Sequence, residues 1–469
     1  MSLRAGLKTV ASAILADVEP GRLARRIKRP PAARPLKISR FPENADGGSG
    51  RPDARPLQQA GRPPLRVLIV PDKFKGTLTA HAAAQAIARG WGRERPHDSL
   101  ELLPMTDGGD GFGAVMSHLF KARPQRIKTV NAAHRPCVAT WWWDAQTKTA
   151  IVESAQVIGL AMLPLGKFHP FDLDTFGLGK LLQAARTKGA QQILVGIGGS
   201  ATNDGGFGLA RAVGWKFLAA NQKPILQWTE LHRLVEIRPP RRRGFSRITV
   251  AVDVRNPLLG IRGATRVYGP QKGLRAEDFP AAEKCLRRLA TVAHRHFGHD
   301  FTKLPGAGAA GGLGFGLLAF LGAKSEPGFE LFARQAKLDR HLRAADLVIT
   351  GEGAIDRSTL MGKGTGEIVR RCRAQRIPCL GLAGCLALDI RRNQLFHELR
   401  ALTDLTTERQ AKTKPADWLE RLAELAARRF KTGPLTRRGC QSVTMRRNLT
   451  PRRKGAKTQS DSKERRLAG

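Results

Sequence analysis

Five short segments of the sequence combine glycine with carboxylates, lysines or hydroxyls, and each is a candidate for chemistry on a charged molecule. They are residues 71–77 (PDKFKGT), 106–111 (TDGGDG), 196–206 (GIGGSATNDGG), 305–314 (PGAGAAGGLG) and 350–356 (TGEGAID). Glycine lets the backbone approach a ligand closely, so that its N–H groups can hold phosphate oxygens. Carboxylates can bind a divalent cation or accept a hydroxyl proton. Together these residue types indicate metal and phosphate chemistry.

The segments differ in how specific they are. Segment 196–206 has a density of small polar residues after an apolar run that packing alone does not explain. Segments 71–77 and 106–111 are also compatible with ordinary solvated turns. Segment 305–314 matches G-x-G-x-x-G but follows no strand pattern, which argues against a dinucleotide-binding fold and favours either a helix opening on a phosphate or close packing. No G-x-x-x-x-G-K-[ST] motif is present, which excludes a P-loop protein.

Short apolar runs, many of them β-branched, precede several of these segments and predict the strands that position them. The runs are 66–70 (RVLIV), 192–195 (QILV), 248–252 (ITVAV), 346–349 (DLVI) and 378–382 (PCLGL). Continuous apolar strands separated by helical segments are typical of a parallel sheet covered on both faces, an α/β fold. Ligands bind such sheets at the carboxyl ends of the strands, where the polar segments lie.

The charge of the chain first suggests a nucleic-acid binder. The 469 residues carry a formal net charge of +41, with 41% hydrophobic residues. Residues 1–63 contribute +8 and residues 434–469 contribute +9, which leaves +24 for the intervening chain. Both tails, 1–63 and 431–469, are basic and poor in large apolar residues, so we predict that they are disordered. Nucleic-acid binding through these tails is possible but not expected.

The sequence also excludes some locations and sites. No run approaches the roughly 18 apolar residues of a membrane span, so we expect no membrane partner. The first 16 residues are short and weakly apolar for a secretion signal. The six cysteines are scattered without a CxxC pair, which argues against a zinc site and favours reduced thiols. We therefore expect a cytoplasmic protein, of unknown oligomeric state.

In order and spacing, the segments resemble the type-1 glycerate kinase family. The resemblance covers roughly residues 64–430. It rests on PDKFKGTL (71–78), DGG (107–109), GIGGSATNDGG (196–206), AVDVRNPLLG (251–260), YGPQKG (268–273), PGAGAAGGLG (305–314) and ITGEGAID (349–356). Each motif alone is modest, and the series of seven is specific.

This resemblance implies an ATP- and Mg²⁺-dependent kinase that phosphorylates glycerate, most simply to 2-phosphoglycerate. It also implies two α/β domains, with the second inserted into a flavodoxin-like parallel-sheet domain and the active site in the cleft between them. We expect the outer domain at about 64–128 plus 300–430, and the inserted domain at about 129–299.

The resemblance also implies roles for individual residues. Asp204 or Asp107 would act as base toward the glycerate hydroxyl, and Lys75 and Lys272 would stabilise phosphate charge. Asp253 and Glu352 would bind Mg²⁺ or lie on the phosphate side. The expected phosphate-binding residues are Gly198, Gly199, Ser200, Thr202, Asn203, Gly306, Gly308 and Gly311.

The sequence departs from the family pattern at several positions. Lys73 stands where Ser is common, Asp110 and Phe112 replace Glu and Thr, and Ala354 replaces Arg. Leu178 and Lys180 interrupt a usual GTGE segment. A kinase for another small sugar acid, or a catalytically weakened relative, therefore stays open beside glycerate kinase. A nucleic-acid-associated protein is the alternative from a different class.

Overall fold

The computed structural model describes residues 63–430, apart from 242–243, 246, 361–363, 389 and 392–394. The predicted disordered tails, except Pro63, lie outside these residues. The strands are β1 (Arg66–Pro71), β2 (Ser99–Leu102), β3 (Arg123–Val130), β4 (Pro136–Asp144), β5 (Thr149–Glu153), β6 (Gln192–Gly196), β7 (Lys216–Ala219), β8 (Leu234–Arg238), β9 (Arg247–Ala251), β10 (Lys324–Glu326), β11 (Leu347–Ile355), β12 (Cys379–Leu386) and β13 (Glu398–Ala401).

Helices connect and cover these strands. The α-helices are α1 (Ala80–Glu94), α2 (Phe112–Phe120), α3 (Ala155–Ile158), α4 (Phe176–Thr187), α5 (Phe207–Ala212), α6 (Ala264–Tyr268), α7 (Phe279–Phe297), α8 (Ala309–Leu321), α9 (Gly328–Gln335), α10 (Leu338–Ala344), α11 (Arg357–Leu360), α12 (Gly364–Ala374), α13 (Glu408–Thr413) and α14 (Pro415–Arg429). Within the described chain, no helix is both long and apolar enough to cross a membrane.

The first sheet is parallel throughout and has the order β13-β12-β11-β1-β2. Numbered along the chain within this sheet, the order is 2-1-3-4-5, which is the flavodoxin-like arrangement. This confirms the predicted fold class. The order reverses between β1 and β11, so the carboxyl ends of these two strands are where a ligand is expected to bind.

The second sheet has the order β10-β9-β6-β5-β4-β3. Strands β10, β9, β6 and β5 are parallel to one another, and β4 and β3 complete the sheet through the antiparallel pairs β5–β4 and β4–β3. All six strands fall between β2 and β11 in the sequence, as expected of an insertion. They extend from Arg123 to Glu326, so this sheet occupies a longer segment than the predicted 129–299.

Each sheet has helices packed on its faces because its central strands are apolar on both sides. One face of the first sheet packs against α1 and α14, whose contacts include Trp91 and Leu419. The second sheet packs against α4 and α8 through alternate strand residues such as Ile193 and Val195. This alternation follows from the two-residue repeat of a strand.

A shared apolar core joins the two sheets. Leu68 and Val348 of the first sheet belong to the same buried cluster as Ile151 and Leu194 of the second, with Phe112 of α2 between them. This dry contact holds the carboxyl ends of both sets of parallel strands close to one another. The fold therefore brings the polar segments of distant parts of the chain to one place.

We predict that Gly90→Ala destabilises the protein. Alanine normally stabilises a helix interior relative to glycine. Here the added Cβ would lie 2.0 Å from the carbonyl oxygen of Glu420 and would push α1 away from α14. We expect the free energy of unfolding, measured by urea denaturation, to fall by about 1–3 kcal/mol. Gln85→Ala, on the exposed side of the same helix, is the control, and a Gly90→Ala variant as stable as the parent would contradict the close packing.

Candidate active site

A cleft of about 1260 Å³ lies between the carboxyl ends of the two sheets. From the first sheet, the residues that follow β1 and those at the ends of β11 and β12 line it. From the second sheet, it is lined by the ends of β5 and β9 and by the glycine-rich turn after β6. The predicted strand ends therefore meet at one site, at the point where the strand order of the first sheet reverses.

Four carboxylates of this cleft, Asp72, Asp107, Asp253 and Glu352, form what we call the carboxylate cluster. Burial, and then the negative charge of Asp107, raise the pKa of Asp72 to about 7. The same two causes raise the pKa of Asp253 to about 8. The folded protein therefore disfavours ionisation of these two carboxyls, and strongly shifted pKa values of this kind are common at functional sites.

Lys73 lies among these carboxylates. Its Nζ is 3.1 Å from Oδ1 of Asp107, and both side chains are about three-quarters buried. Burial alone lowers the pKa of the Lys73 ammonium, but the charges of Asp72 and Asp107 raise it above its ordinary value. Conversely, burial opposes ionisation of Asp107, while Lys73 and the N–H of Gly109 lower its pKa. Lys73 and Asp107 are therefore a charged pair at neutral pH.

The turn that carries Asp107 is held against the second sheet. Glu153, at the end of β5, accepts hydrogen bonds from the N–H groups of Gly111 and Gly113 at 3.0 and 2.9 Å. A Cβ added at Gly198 would lie 2.5 Å from the Cα of Gly109. Two glycine-rich turns from different parts of the sequence thus touch backbone to backbone, which only residues without a side chain permit.

Lys272 and Ser200 come together in the cleft. The buried Lys272 ammonium donates hydrogen bonds to Oγ of Ser200 at 2.9 Å and to the carbonyl oxygen of Thr202 at 2.7 Å. Burial lowers the pKa of Lys272 to about 7. An anion bound beside it would favour the charged form. Gly198 and Gly199 also line the cleft, and Lys75 lies exposed at its edge.

Asp204 does not line the cleft, which corrects its expected role as a base. Its side chain is fully buried and accepts hydrogen bonds from Thr175 Oγ1 at 2.7 Å and from the N–H groups of Thr175, Gly206 and Gly208. Burial raises its pKa to about 6. A carboxylate occupied in this way positions the start of α5 and is not accessible to a substrate hydroxyl.

The neighbouring residues Thr202 and Asn203 are also absent from the cleft surface. Both are fully buried, and the Asn203 side-chain amide donates to Oγ1 of Thr265 at 3.1 Å. The polar residues of segment 196–206 therefore divide into two groups. The first part, through Ser200, faces the cleft, and the second part anchors the turn in the interior.

Gly306, Gly308 and Gly311 likewise serve packing instead of a phosphate path. A Cβ at Gly308 would lie 2.2 Å from the carbonyl oxygen of Pro257, and one at Gly311 would lie 1.9 Å from that of Thr202. At Gly306 the neighbour is the Val252 side chain. This segment presents Ala309 and Ala310 to the cleft. The close-packing alternative is thus the one that the geometry supports.

Comparison with known proteins agrees with the motifs. The sequence model of the glycerate kinase family matches residues 67–431. The chain belongs to the glycerate kinase family. This confirms the resemblance noted from the seven motifs, all of which lie within the matched residues.

Individual members of the glycerate kinase family are similar over most of their length. The glycerate kinase of Halalkalibacterium halodurans is 38% identical over 324 residues, which cover 68% of this chain and 85% of that protein. The glycerate 2-kinase of Escherichia coli K12 is 35% identical over 331 residues, which cover 70% of this chain and 87% of that protein. A crystal structure provisionally assigned as glycerate kinase 2 of Salmonella typhimurium LT2 has a TM-score of 0.68 at 32% identity, covering 78% of this chain and 98% of that one.

Three of the departures from the glycerate kinase pattern reach the cleft. Lys73, Asp110 and Ala354 line it, and Ala354 is exposed there. Phe112 and Leu178 are instead buried in the two apolar cores. Lys180 is exposed on α4, with its ammonium over the ring of Phe176. The differences at residues 178 and 180 therefore do not alter the surface that a substrate would contact.

The cleft fits the Mg²⁺ that the glycerate kinase family implies. No group of three or more His, Cys, Asp or Glu side chains forms a ready-made metal site within the part of the chain that the structure describes. Mg²⁺ is commonly held by one or two carboxylates together with substrate phosphates, so such a cage is not required. Asp253 and Glu352 face the cleft, and a cation beside Asp253 would oppose the effect of burial and of Asp107, which raise the pKa of this carboxyl.

Sequence reasoning missed three of the charged groups in this glycerate kinase cleft. Asp72 and Lys73 lie in the candidate segment 71–77, where Lys73 is also a departure from the family pattern, but neither was assigned a role, and Glu153 was not singled out. The signal available for all three was their position at or just after the end of an apolar strand. Their importance depends on partners such as Asp107 and Gly111, which lie elsewhere in the sequence.

We predict that Asp72 and Asp253 contribute less to the stability of the metal-free protein as the pH rises through neutrality. The folded state keeps protons on these two carboxyls, while the unfolded chain releases them above about pH 4. Because the folded state binds more of these protons, their contribution to the free energy of unfolding falls until about pH 8, while the lowered pKa of Lys272 acts in the opposite direction above about pH 7. As the pH rises, the melting temperature measured in EDTA should fall less steeply for Asp253→Asn than for the parent. Asp172→Asn, at an exposed carboxylate, should match the parent. The same pH dependence of melting temperature in all three proteins would refute the raised pKa of Asp253.

Proposed function

We propose that this protein transfers the γ-phosphoryl group of ATP to a hydroxyl of glycerate, giving 2-phosphoglycerate, with Mg²⁺ as cofactor. The observation that carries the proposal is the cleft that the carboxylate cluster lines together with Lys272, Ser200 and the Gly198–Gly199 turn. Membership of the glycerate kinase family supports it. The names of the relatives from Halalkalibacterium halodurans and Escherichia coli give the acceptor.

The arrangement suits phosphoryl transfer, in which catalysis depends mainly on positioning and charge neutralisation. Lys75 and Lys272 would bind phosphate oxygens, together with Oγ of Ser200. Asp253 and Glu352 would hold Mg²⁺, which when bound neutralises charge on the phosphates. The buried position of Lys272 strengthens its interaction with an anion because little water screens it.

Asp107 is the proposed base. It lines the cleft, and its lowered pKa keeps it ionised at neutral pH, so that it can accept a hydrogen bond from the acceptor hydroxyl. Its Oδ1 already accepts hydrogen bonds from Lys73 Nζ and from the N–H of Gly109, both at 3.1 Å. These contacts hold the carboxylate in one orientation, as general-base action requires. Asp204 would contribute by positioning segment 196–206.

Another small sugar acid is a second candidate acceptor. The observation that favours it is that Asp110 and Ala354 line the cleft where the family pattern has Glu and Arg. Ala354 lacks the guanidinium that could bind a substrate carboxylate through two hydrogen bonds. The side chain of Asp110 is shorter than that of Glu, which changes the space available to the acceptor. A different acceptor would therefore use the same phosphoryl-transfer groups with a differently shaped acceptor side.

The test is ADP formation by purified full-length protein with ATP, Mg²⁺ and glycerate, compared with a panel of other small sugar acids. We expect glycerate to give the highest kcat/KM, and phosphorus NMR of the product to show phosphate on the 2-hydroxyl. Turnover with another acid alone would transfer the proposal to that acceptor. Absence of turnover with every acid, alongside an active family member as control, would overturn it.

We predict that two aspartate variants separate catalysis from positioning. Asp107→Asn should lower kcat by about 10²- to 10⁴-fold, because the amide cannot accept a proton, while the variant still unfolds cooperatively. Asp204→Asn should instead lower the free energy of unfolding by about 1–3 kcal/mol, because the side-chain NH₂ of asparagine would face buried N–H groups that need an acceptor. Asp172→Asn serves as the exposed control. Near-normal turnover of Asp107→Asn would remove Asp107 from the mechanism.

A further inference from the structure

Lys73 interacts with an unusual number of carboxylates. Its ammonium is paired with Asp107, and the charges of Asp72 and Asp110 also act on it. In turn, its charge acts on the buried carboxyls of Glu153 and Asp253. These carboxylates come from both sheets, so Lys73 is a cation near the centre of the negative side of the cleft.

Other lysines that line the cleft, within the described residues, are directed elsewhere. Lys272 donates to Ser200 and Thr202, and Lys412 is paired with Glu408 at 2.6 Å. Lys75 lies in the same turn as Lys73, but it is exposed. The ammonium in contact with the carboxylate cluster is therefore that of Lys73.

A cation already present in this place affects any second cation. A divalent ion entering the cluster would meet the positive charge of Lys73 and would compete with it for Asp107. In a partly buried site such charge–charge interactions are weakly screened. A metal accompanied by a polyphosphate differs, because the phosphate oxygens offer the ammonium a new partner and add the negative charge that the metal needs.

We propose that Lys73 is a built-in counter-ion that keeps free divalent metal out of the carboxylate cluster until a nucleotide polyphosphate arrives. The nucleotide step rests on the proposed function. The competition between Lys73 and metal rests only on the ion pair and the surrounding carboxylates. Lys73 is thus a positioning residue that determines in which form the metal enters.

The experiment measures Mn²⁺ binding by electron paramagnetic resonance in the absence of nucleotide. Mn²⁺ is a suitable probe because it prefers carboxylate oxygens. We expect Lys73→Gln to bind Mn²⁺ at least about tenfold more tightly than the parent, since an opposing charge is removed from a poorly screened site. Lys73→Arg, which keeps the charge, should bind as weakly as the parent.

Lys75→Gln is the matched control, because it removes the same charge from the same exposed turn without touching Asp107. We expect its Mn²⁺ affinity to change by less than about threefold, as for a screened surface charge. An equal increase in Mn²⁺ affinity for the Lys73 and Lys75 variants would show that only net charge matters, and would overturn the proposal. No increase in Mn²⁺ affinity for Lys73→Gln would overturn it as well. If Lys73→Gln does not melt cooperatively, Lys73→Met provides the same comparison.

A second measurement tests the nucleotide step. Calorimetric titration of ADP in EDTA should show weaker binding to Lys73→Gln than to the parent, because the ammonium partner of the phosphates is gone. Adding ADP should also raise Mn²⁺ affinity more in the parent than in Lys73→Gln. Unchanged ADP binding would overturn the nucleotide step alone. Neither measurement uses turnover. The competition between Lys73 and metal can therefore be tested even if the protein does not phosphorylate glycerate.

Discussion

The ion pair between Lys73 and Asp107 joins the turn after β1 to the turn after β2, with Nζ and Oδ1 3.1 Å apart. The second of these turns also contacts the inserted sheet, because Glu153 accepts hydrogen bonds from the backbone N–H groups of Gly111 and Gly113. Repulsion among the carboxylates would otherwise oppose such a compact arrangement, because burial weakens screening. The ammonium therefore offsets part of this repulsion, and the cluster supplies the carboxylates that the proposed metal would need.

Burial, and then the negative charge of Asp107, raise the pKa values of Asp72 and Asp253. A cation bound beside these carboxyls would favour their ionised forms. Lys272 shows the opposite situation across the cleft, where burial lowers the pKa of an ammonium that an anion would stabilise. Under the proposed function, a metal near Asp253 and a phosphate near Lys272 would each favour the charged form of the buried group beside it.

Glycine has two distinct roles in this protein. Gly198 and Gly199 line the cleft and allow two turns to meet, with φ of +71° at Gly199. Gly308 and Gly311 instead bring backbone segments into direct contact in the interior. The two roles look alike in a sequence, because both produce dense glycine motifs. Only the identity of the neighbouring atoms separates them, and those neighbours lie dozens of residues away.

The sequence by itself determined the α/β class, the strands that end at the cleft and the family. Apolar runs and ordered motifs are local features, so they need no knowledge of distant contacts. It also predicted Asp107, Lys75 and Lys272 as site residues, and all three line the cleft. Tertiary structure alone decided that Asp204 accepts hydrogen bonds from Thr175 in the interior and that burial, together with the charge of Asp107, raises the pKa of Asp253. Burial and electrostatics depend on which residues meet in space, and a linear pattern of residue types does not contain that information.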